Sequence, residues 1–245
     1  MPKKPTAYYR PTNHDEALRL LRQPNTLPLA GGTALLASEE GIDSAVVDLQ
    51  NAGLDHLSWA DGGRLLRAGA MVRLADLNEF LTPLTAVEGA AALVCGAIRR
   101  AGPNTYRNAA TLGGIVASRL PDSELLAALL VLNATITLRL PAPETQTLAA
   151  YLEDDERLPG LITVSGWRPD GGAIRLAAVG ISPRPIPLTA AEAALAGDLS
   201  DDTIAAAGQA AAASATHPGD FRGDAAYRAE MAAVLTRRVL GALAQ

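Results

Sequence analysis

Two pairs of adjacent glycines are the features of this sequence best suited to hold a ligand. The first is Gly31-Gly32, followed by Thr33, and the second is Gly113-Gly114, with Thr111 just before it. Glycine permits sharp turns and lets a ligand approach backbone N–H groups, and successive N–H groups form an anion site without a cationic side chain. A pyrophosphate between two such segments would be held largely by amides, with added threonine hydroxyls. Taken alone, each pair is a weak signal, because Gly-Gly turns are usually structural.

Other site chemistries find little support in the sequence. No stretch matches G-x-G-x-x-G or G-x-x-x-x-G-K-[ST], so neither a Rossmann dinucleotide site nor a P-loop is indicated. His14, His56 and His217 lie far apart and lack metal-ligand spacing. Composition leaves a Ser-His-Asp triad open, but no G-x-S-x-G elbow supports one. The single cysteine, Cys95, excludes an internal disulfide and a cysteine-held iron–sulfur cluster, and its apolar surroundings predict a core residue.

Composition and charge argue against a nucleic-acid-binding protein and against a membrane-spanning one. The 245 residues are 49% hydrophobic, which predicts a globular chain, and 21 basic against 26 acidic residues give a net charge of −5. No basic stripe is visible, so nucleic-acid binding is not expected. The longest apolar run, 125–132, is far shorter than the roughly 18 residues of a membrane span. No apolar run follows the first lysines, so the sequence predicts a soluble cytoplasmic protein without a secretory signal.

Alternating strands and helices are predicted to position the glycine pairs. Asn13 and Glu16 form a capping-box pattern that opens a helix. A short buried strand at 27–30 runs into the first glycine pair, and Glu124 begins a helix just after Pro121-Asp122-Ser123. The remaining predicted strands are 45–49, 65–70, 135–140 and 161–167, and the predicted helices are 74–81, 88–101 and 124–132.

A break at 168–172 predicts a domain boundary. We therefore expect one domain at 1–168, with subdomains of about 1–54 and 55–168, and a second domain at 169–245. The second domain is predicted to hold a strand at 174–182, a capping box from Thr189 to Glu192, and two helices capped by Ser200 and Asp224. The face predicted for the last helix contains Tyr227, Met231, Val234, Leu235 and Leu243.

Several of these segments resemble one family, in order along nearly the whole chain. The segment LAGGTALL at 29–36 resembles the first flavin loop of the FAD-binding subunits of molybdenum hydroxylases, the family of xanthine dehydrogenase and carbon monoxide dehydrogenase. The segments RN at 107–108 and ATLGG at 110–114 resemble its second loop, and Glu124 falls where the family places an aspartate near the flavin. The segments YRP at 9–11 and EA at 16–17 resemble its N-terminal signature, and the segments 183–185, 191–195 and 220–228 resemble its C-terminal domain.

The resemblance implies an α+β fold in which two α/β subdomains clasp FAD, followed by a domain with a small antiparallel sheet and helices. It also implies electron relay to an unidentified acceptor, with a molybdopterin-binding large subunit and a [2Fe–2S] small subunit as partners. We name no catalytic acid or base, because the flavin carries the redox chemistry. The residues implied to contact FAD are Pro28, Leu29, Ala30, Gly31, Gly32, Thr33, Ala34, Leu35, Thr111, Leu112, Gly113, Gly114, Ile115, Glu124 and Leu161.

The sequence also departs from the family pattern. Ile115 stands where family members usually have asparagine, Ala34 replaces a commonly polar residue, and Glu124 is one methylene longer than aspartate. The chain also lacks a stretch that many relatives carry between 167 and 174. These departures keep open the alternative of a flavin-free structural or assembly subunit. For Glu124, the alternative role is that of a first-turn carboxylate favoured by the helix dipole.

Overall fold

The computed structural model describes residues 4–37, 41–120, 122–138, 144–152, 162–169, 172–195, 197 and 199–244. The strands are β1 (Ala7–Tyr9), β2 (Thr26–Leu29), β3 (Ala45–Asp48), β4 (Leu57–Ala60), β5 (Leu65–Ala68), β6 (Thr135–Leu138), β7 (Glu144–Thr147), β8 (Thr163–Trp167), β9 (Arg175–Val179), β10 (Ile186–Pro187), β11 (Gly219–Asp220) and β12 (Gly223–Asp224). The α-helices are α1 (His14–Leu21), α2 (Leu74–Leu81), α3 (Gly89–Arg100), α4 (Asn104–Ala109), α5 (Leu112–Ser118), α6 (Glu124–Val131), α7 (Leu148–Leu152), α8 (Thr189–Ala194), α9 (Asp201–Ala213) and α10 (Ala225–Leu243). The chain divides into one compact unit of residues 1–83 and 102–118 and another of 84–101 and 119–245.

A small parallel sheet organises the first unit. Its strand order is β1-β3-β2, so β3 is central, and its Val46 and Val47 are buried. The prediction that residues 27–30 form a buried strand is wrong in one respect, because β2 lies at the sheet edge with Leu27 and Pro28 exposed. An edge position suits Pro28, which has no N–H to donate to a further strand.

Helix α1 covers one face of this sheet. Its Ala17 packs with Val47 in a small apolar cluster. The predicted N-cap is present, since the Asn13 side chain accepts a hydrogen bond from Glu16 N at 2.9 Å. The other half of the capping box differs, because the Glu16 carboxylate accepts from Thr12 N at 3.0 Å.

Besides these elements, the described part of the first unit contains the hairpin β4–β5 and the α-helices α2, α4 and α5. β4 pairs antiparallel with β5, and the sequence analysis had not predicted β4. Trp59 of β4 stacks on Phe80 of α2, with ring centroids 6.0 Å apart. The short helix α5 contains the second glycine pair, and the short helix α4 precedes it in the chain.

The second unit is built around an antiparallel sheet of order β10-β9-β8. Helix α6 is apolar on nearly all sides and packs against β8 and β9, as expected of a fully buried helix. β8 and β9 pair with each other from opposite sides of residue 168, where the sequence predicts a domain boundary. That boundary stays a prediction. The α+β fold class, with small antiparallel sheets and helices, is confirmed.

The predicted capping box of α8 is wrong. Thr189 is already helical, and Leu188 occupies the N-cap position without a side-chain hydrogen bond. Glu192 instead accepts a hydrogen bond from the backbone N–H of Leu176 in β9, at 2.8 Å. The local pattern could not reveal this, because the acceptor serves a strand that is distant in sequence.

Replacing Glu192 with alanine is expected to lower the free energy of unfolding by about 1–3 kcal/mol, because the N–H of buried Leu176 loses its acceptor. Urea denaturation would measure the loss. Glu192→Gln keeps an acceptor oxygen and should lose less, and the exposed Glu230 gives a matched control as Glu230→Ala. A Glu192→Ala protein as stable as the wild type would contradict this role.

The buried face of α10 also differs from the predicted one. Tyr227 is exposed, and the buried residues of the helix are Arg228, Ala232, Ala233, Thr236 and Leu240. The physical reason is close packing against α9, where a Cβ on Gly208 would lie 3.1 Å from Ala233 O. Small side chains permit this approach, so the helix turns its alanine-rich ridge inward and leaves larger side chains at the margin.

Candidate functional site

The first glycine pair follows the carboxyl end of β2. It lies directly against residues 109–110, which precede the second pair. A Cβ built on Gly31 would lie 1.8 Å from Ala109 O and 3.2 Å from Ala110 Cα. No side chain fits at such distances, so close contact between two backbone segments requires glycine here. The structure therefore brings together, within one unit, the two segments that the sequence predicts to form a site.

Gly32 turns the chain through a left-handed conformation. Its φ is +74°, and its carbonyl accepts a hydrogen bond from Leu36 N at 2.9 Å. Within the part of the chain that the structure describes, the backbone N–H groups of residues 32–35 have no hydrogen-bond acceptor. These four donors make this turn, hereafter the amide turn (residues 32–35), suited to an anion.

The backbone N–H groups at the start of the second segment already donate to carbonyls of the protein. Leu112 N donates to Val72 O and Gly113 N donates to Ala70 O, both at 2.8 Å. A Cβ on Gly113 would lie 2.6 Å from Ala70 Cβ and 2.7 Å from Ala70 O. Gly113 is thus required by its contact with the segment that follows β5.

The next two N–H groups of this segment also donate hydrogen bonds within the protein. Gly114 N donates to Thr111 Oγ1 at 3.1 Å, and Ile115 N donates to Thr111 O at 3.0 Å. A Cβ on Gly114 would lie 3.0 Å from Thr111 Oγ1 and 3.8 Å from Ala30 Cβ. The segment is therefore part of α5 and packs beside the residue that precedes the first glycine pair.

The side chains around the two pairs are mostly apolar. Ile115 is 5% exposed and serves as a core residue of α5, whereas Ala34 is exposed. Thr33 is half-buried, and Thr111 is buried with its hydroxyl accepting the hydrogen bond from Gly114. Around the two glycine pairs, the polar donors without a described acceptor are therefore chiefly the backbone N–H groups of the amide turn. The predicted contact residue Leu161 lies outside the described residues.

Glu124 lies in the second unit, as the first residue of α6. Ser123 caps the helix by accepting a hydrogen bond from Leu126 N at 3.3 Å. The Glu124 carboxylate accepts a hydrogen bond from Nε of Arg100 at the end of α3, and its side chain is 24% exposed. The sequence reading had not foreseen this ion pair. One hydrogen bond leaves further acceptor positions on the carboxylate, which has about four.

A buried carboxylate that the sequence analysis missed lies at the carboxyl end of the parallel sheet. Buried Asp48 ends β3 and accepts hydrogen bonds from the Tyr8 hydroxyl and from Gln50 N, the latter at 3.0 Å. Arg10 Nε lies 3.4 Å from the same carboxylate. The hydrogen bond to Asp48 raises the pKa of the Tyr8 hydroxyl above its ordinary value. This group ties β1 to β3 beside the strand that carries the first glycine pair.

In the described ranges, no group of three or more His, Cys, Asp or Glu side chains could hold a metal ion. Of the helices described, none is long and apolar enough to cross a membrane.

The similarity to known proteins extends over both halves of the chain. Residues 4–160 match the family described as the FAD binding domain in molybdopterin dehydrogenase, and residues 171–243 match the CO dehydrogenase flavoprotein C-terminal domain. The chain belongs to this family. Its cofactor is FAD, and both the resemblance and the cofactor predicted from the sequence are confirmed.

Solved structures share this fold over nearly the full length. A chain of carbon monoxide dehydrogenase from Hydrogenophaga pseudoflava superposes with a TM-score of 0.81 at 24% identity, covering 99% of this chain and 98% of that one. A chain of quinoline 2-oxidoreductase from Pseudomonas putida 86 gives 0.80 at 23% identity, with coverage of 98% and 96%. At these identities the likeness shows the fold.

A curated relative is the uncharacterized protein YgfM of Escherichia coli strain K12. It is 33% identical over 152 residues, which cover 59% of this chain and 53% of the relative. The match thus spans about half the length of that protein.

Proposed function

We propose that this chain is the FAD-binding subunit of a molybdenum-containing hydroxylase or dehydrogenase, and that its flavin relays electrons from iron–sulfur clusters to an acceptor. The observation that carries the proposal is the amide turn, whose four N–H donors have no acceptor among the described residues, in a chain of the FAD-binding family. Bound FAD supplies the electron-transfer chemistry, and the protein binds and orients it.

The FAD lies against two segments of the first unit, residues 28–35 and 111–115. The amide turn donates hydrogen bonds to the diphosphate, and Gly31 keeps the turn against Ala109. Apolar side chains such as Leu29 and buried Ile115 favour exclusion of water, which strengthens hydrogen bonds to the charged phosphates. Glu124 accepts hydrogen bonds from the ribityl hydroxyls.

Electron relay requires another chain or another domain. The sequence has one cysteine, Cys95, which is buried in α3 and cannot hold an iron–sulfur cluster by itself. Electrons therefore arrive from a [2Fe–2S] small subunit, which receives them from a molybdopterin-binding large subunit. The acceptor is a separate molecule, and the cytoplasmic location stays a prediction.

One observation favours the second candidate function, a flavin-free structural or assembly subunit. Ile115 stands where the family usually carries asparagine, and its side chain is buried. It cannot donate or accept a hydrogen bond. Purification of the native complex separates the two functions. A complex that contains an iron–sulfur protein and a large molybdenum protein, and that releases FAD when it is denatured, supports the relay. The same subunits without extractable FAD support the assembly role.

Replacing Glu124 with glutamine is expected to weaken FAD binding roughly 10- to 100-fold, because a charge-assisted hydrogen bond to the ligand is lost. Titration of FAD into the wild-type and variant apoproteins measures the change, with thermal melts in parallel. Arg100→Gln is the matched control, since it breaks the same ion pair but leaves the carboxylate.

The expected result for Arg100→Gln is FAD affinity close to that of the wild type and a small loss of stability, because its side chain is 58% exposed and the pair is screened by solvent. If Glu124→Gln binds FAD as tightly as the wild type and melts slightly earlier, the carboxylate serves only the helix end and Arg100. A helix-end role is worth about 0.3–1 kcal/mol.

A further inference from the structure

We propose that His217 is a pH-sensitive switch for the β11–β12 hairpin of the second unit: the neutral imidazole holds the hairpin, and protonation releases it. The inference does not rest on the proposed function, because the hairpin lies outside the segments assigned to FAD. His217 is 2% exposed, and its Nδ1 accepts a hydrogen bond from Gly219 N at 2.8 Å. Gly219 is the first residue of the hairpin, so the ring holds the hairpin at its base.

This hydrogen bond requires one protonation state of the ring. A nitrogen that accepts a hydrogen bond carries a lone pair, so the ring proton of neutral His217 lies on Nε2. When a proton from solvent adds to Nδ1, the lone pair becomes an N–H bond and two donors face each other. Both nitrogens of an imidazolium are donors, so the charged ring cannot restore the bond to Gly219 N. An ordinary imidazole takes up this proton at about pH 6.5.

The backbone around His217 confines the movement to the hairpin. The N–H groups of Thr216 and His217 both donate to Ile181 O, at 2.9 and 3.0 Å, and these bonds do not involve the imidazole. The chain therefore stays attached up to His217. Gly219 follows with a φ of +100°, and a Cβ there would lie 2.9 Å from Asp224 Cα. A glycine at this point gives the backbone the freedom to turn away when the hydrogen bond is lost.

Two charged side chains of the described residues bear on the ring. The Asp220 carboxylate of β11 interacts electrostatically with His217 and favours a charged imidazole. The same carboxylate already accepts hydrogen bonds from Arg222 N at 2.8 Å and from the buried Arg228 side chain of α10 at 2.6 Å. An imidazolium is therefore a second cation at an acid that is already paired, whereas its hydrogen bond to Gly219 is lost in full. We therefore expect the hairpin to open rather than tighten on acidification.

The other attachments of the hairpin persist in this pH range. The hydrogen bond from Arg222 N, followed by that from the Arg228 side chain, lowers the pKa of Asp220, so its carboxylate stays charged while an imidazole titrates. Asp224 accepts from Tyr227 N at 2.7 Å and keeps β12 at the start of α10. Acidification therefore loosens the base of β11 without unfolding the unit. The stabilisation from neutral His217 is present above the pH of its protonation and is lost as pH falls through that value.

Amide hydrogen exchange of the full chain, followed by NMR, tests the switch. The protection factor of Gly219 N–H, which corrects for the intrinsic pH dependence of exchange, should fall by about three- to tenfold between about pH 7.5 and 5.5. Thr216 N–H donates to Ile181 O and is the internal reference that should keep its protection. Protection of Gly219 N–H that stays constant or rises on acidification would overturn the proposal.

Two histidine variants assign the response. In His217→Asn the side-chain oxygen can accept from Gly219 N and does not titrate, so the protection factor should be independent of pH. His14→Asn is the matched control, since His14 is an exposed partner of Asp15 in the first unit, and it should retain the full wild-type response. A His217→Asn protein whose Gly219 protection falls as in the wild type would show that another group drives the change.

Discussion

Replacing Gly31 with alanine is expected to reduce FAD affinity by about 100-fold or more, the largest effect on binding foreseen for a single methyl group. The added Cβ would lie 1.8 Å from Ala109 O, and the atoms it meets belong to backbone that cannot rotate away. One of the two segments must therefore shift, which displaces the amide turn. Loss of two charge-assisted hydrogen bonds to phosphate, each worth about 1.5–3 kcal/mol, accounts for a change of this size.

Fluorescence titration of FAD into the apoprotein measures this loss, and circular dichroism checks that the variant is folded. Gly241→Ala is the matched control, since a Cβ there meets nothing within 4 Å. Overpacking also predicts a stability loss of about 1–3 kcal/mol for Gly31→Ala. If Gly31→Ala folds and binds FAD like the wild type, the contact between the two segments does not position the ligand site.

Replacing Arg228 with methionine is expected to lower the free energy of unfolding by about 3–5 kcal/mol, the largest stability effect foreseen in the second unit. Arg228 is 1% exposed in α10. It donates to Gly180 O and to Asp220 Oδ1, both at 2.6 Å, and its Nε donates to Gly223 O at 3.3 Å. Methionine fills similar volume but cannot donate, so Gly180 O and Gly223 O lose this donor and Asp220 Oδ1 keeps the hydrogen bond from Arg222 N.

Equilibrium urea unfolding measures the effect, and Arg222→Met is the control. Arg222 is exposed, its guanidinium lies over the Phe221 ring, and its backbone N–H stays available for Asp220. Arg228→Lys should lose less than Arg228→Met, because an ammonium keeps the charge but cannot reach all three acceptors. An Arg228→Met protein within about 1 kcal/mol of the wild type would contradict a central role for this side chain.

The same cluster sets a pH dependence. The hydrogen bond from Arg222 N, followed by that from the Arg228 side chain, lowers the pKa of the Asp220 carboxyl. A lowered pKa means that this carboxylate stabilises the fold above its ordinary pKa. Its contribution is lost as pH falls through the lowered value. In Arg228→Met, where one of these donors is gone, we expect the pKa to return part of the way, and NMR titration of Asp220 would show the shift.

Elements whose signals are local could be predicted from the sequence. The N-caps Asn13, Ser200 and Asp224 each accept the predicted hydrogen bond at the start of a helix, because a cap involves residues only three positions apart. Helix α6 was also predicted, from a continuous apolar run. Strand β4 and the edge position of β2 were missed, since both depend on which strands pair. The role of Glu192 was missed for the same reason, as its partner lies on β9.

The sequence by itself determined the family, the cofactor and the two glycine pairs, because these depend on residue types in a fixed order along the chain. Only the tertiary structure decided what each pair can do. The N–H groups of Gly113 and Leu112 donate to the carbonyls of Ala70 and Val72, which lie far upstream. The need for glycine at position 31 is explained by its close contact with the backbone of Ala109. A backbone donor is available to a ligand only if folding brings no carbonyl within reach of it. That condition is set by contacts between distant segments, and among the described residues it leaves the N–H groups of residues 32–35 without an acceptor.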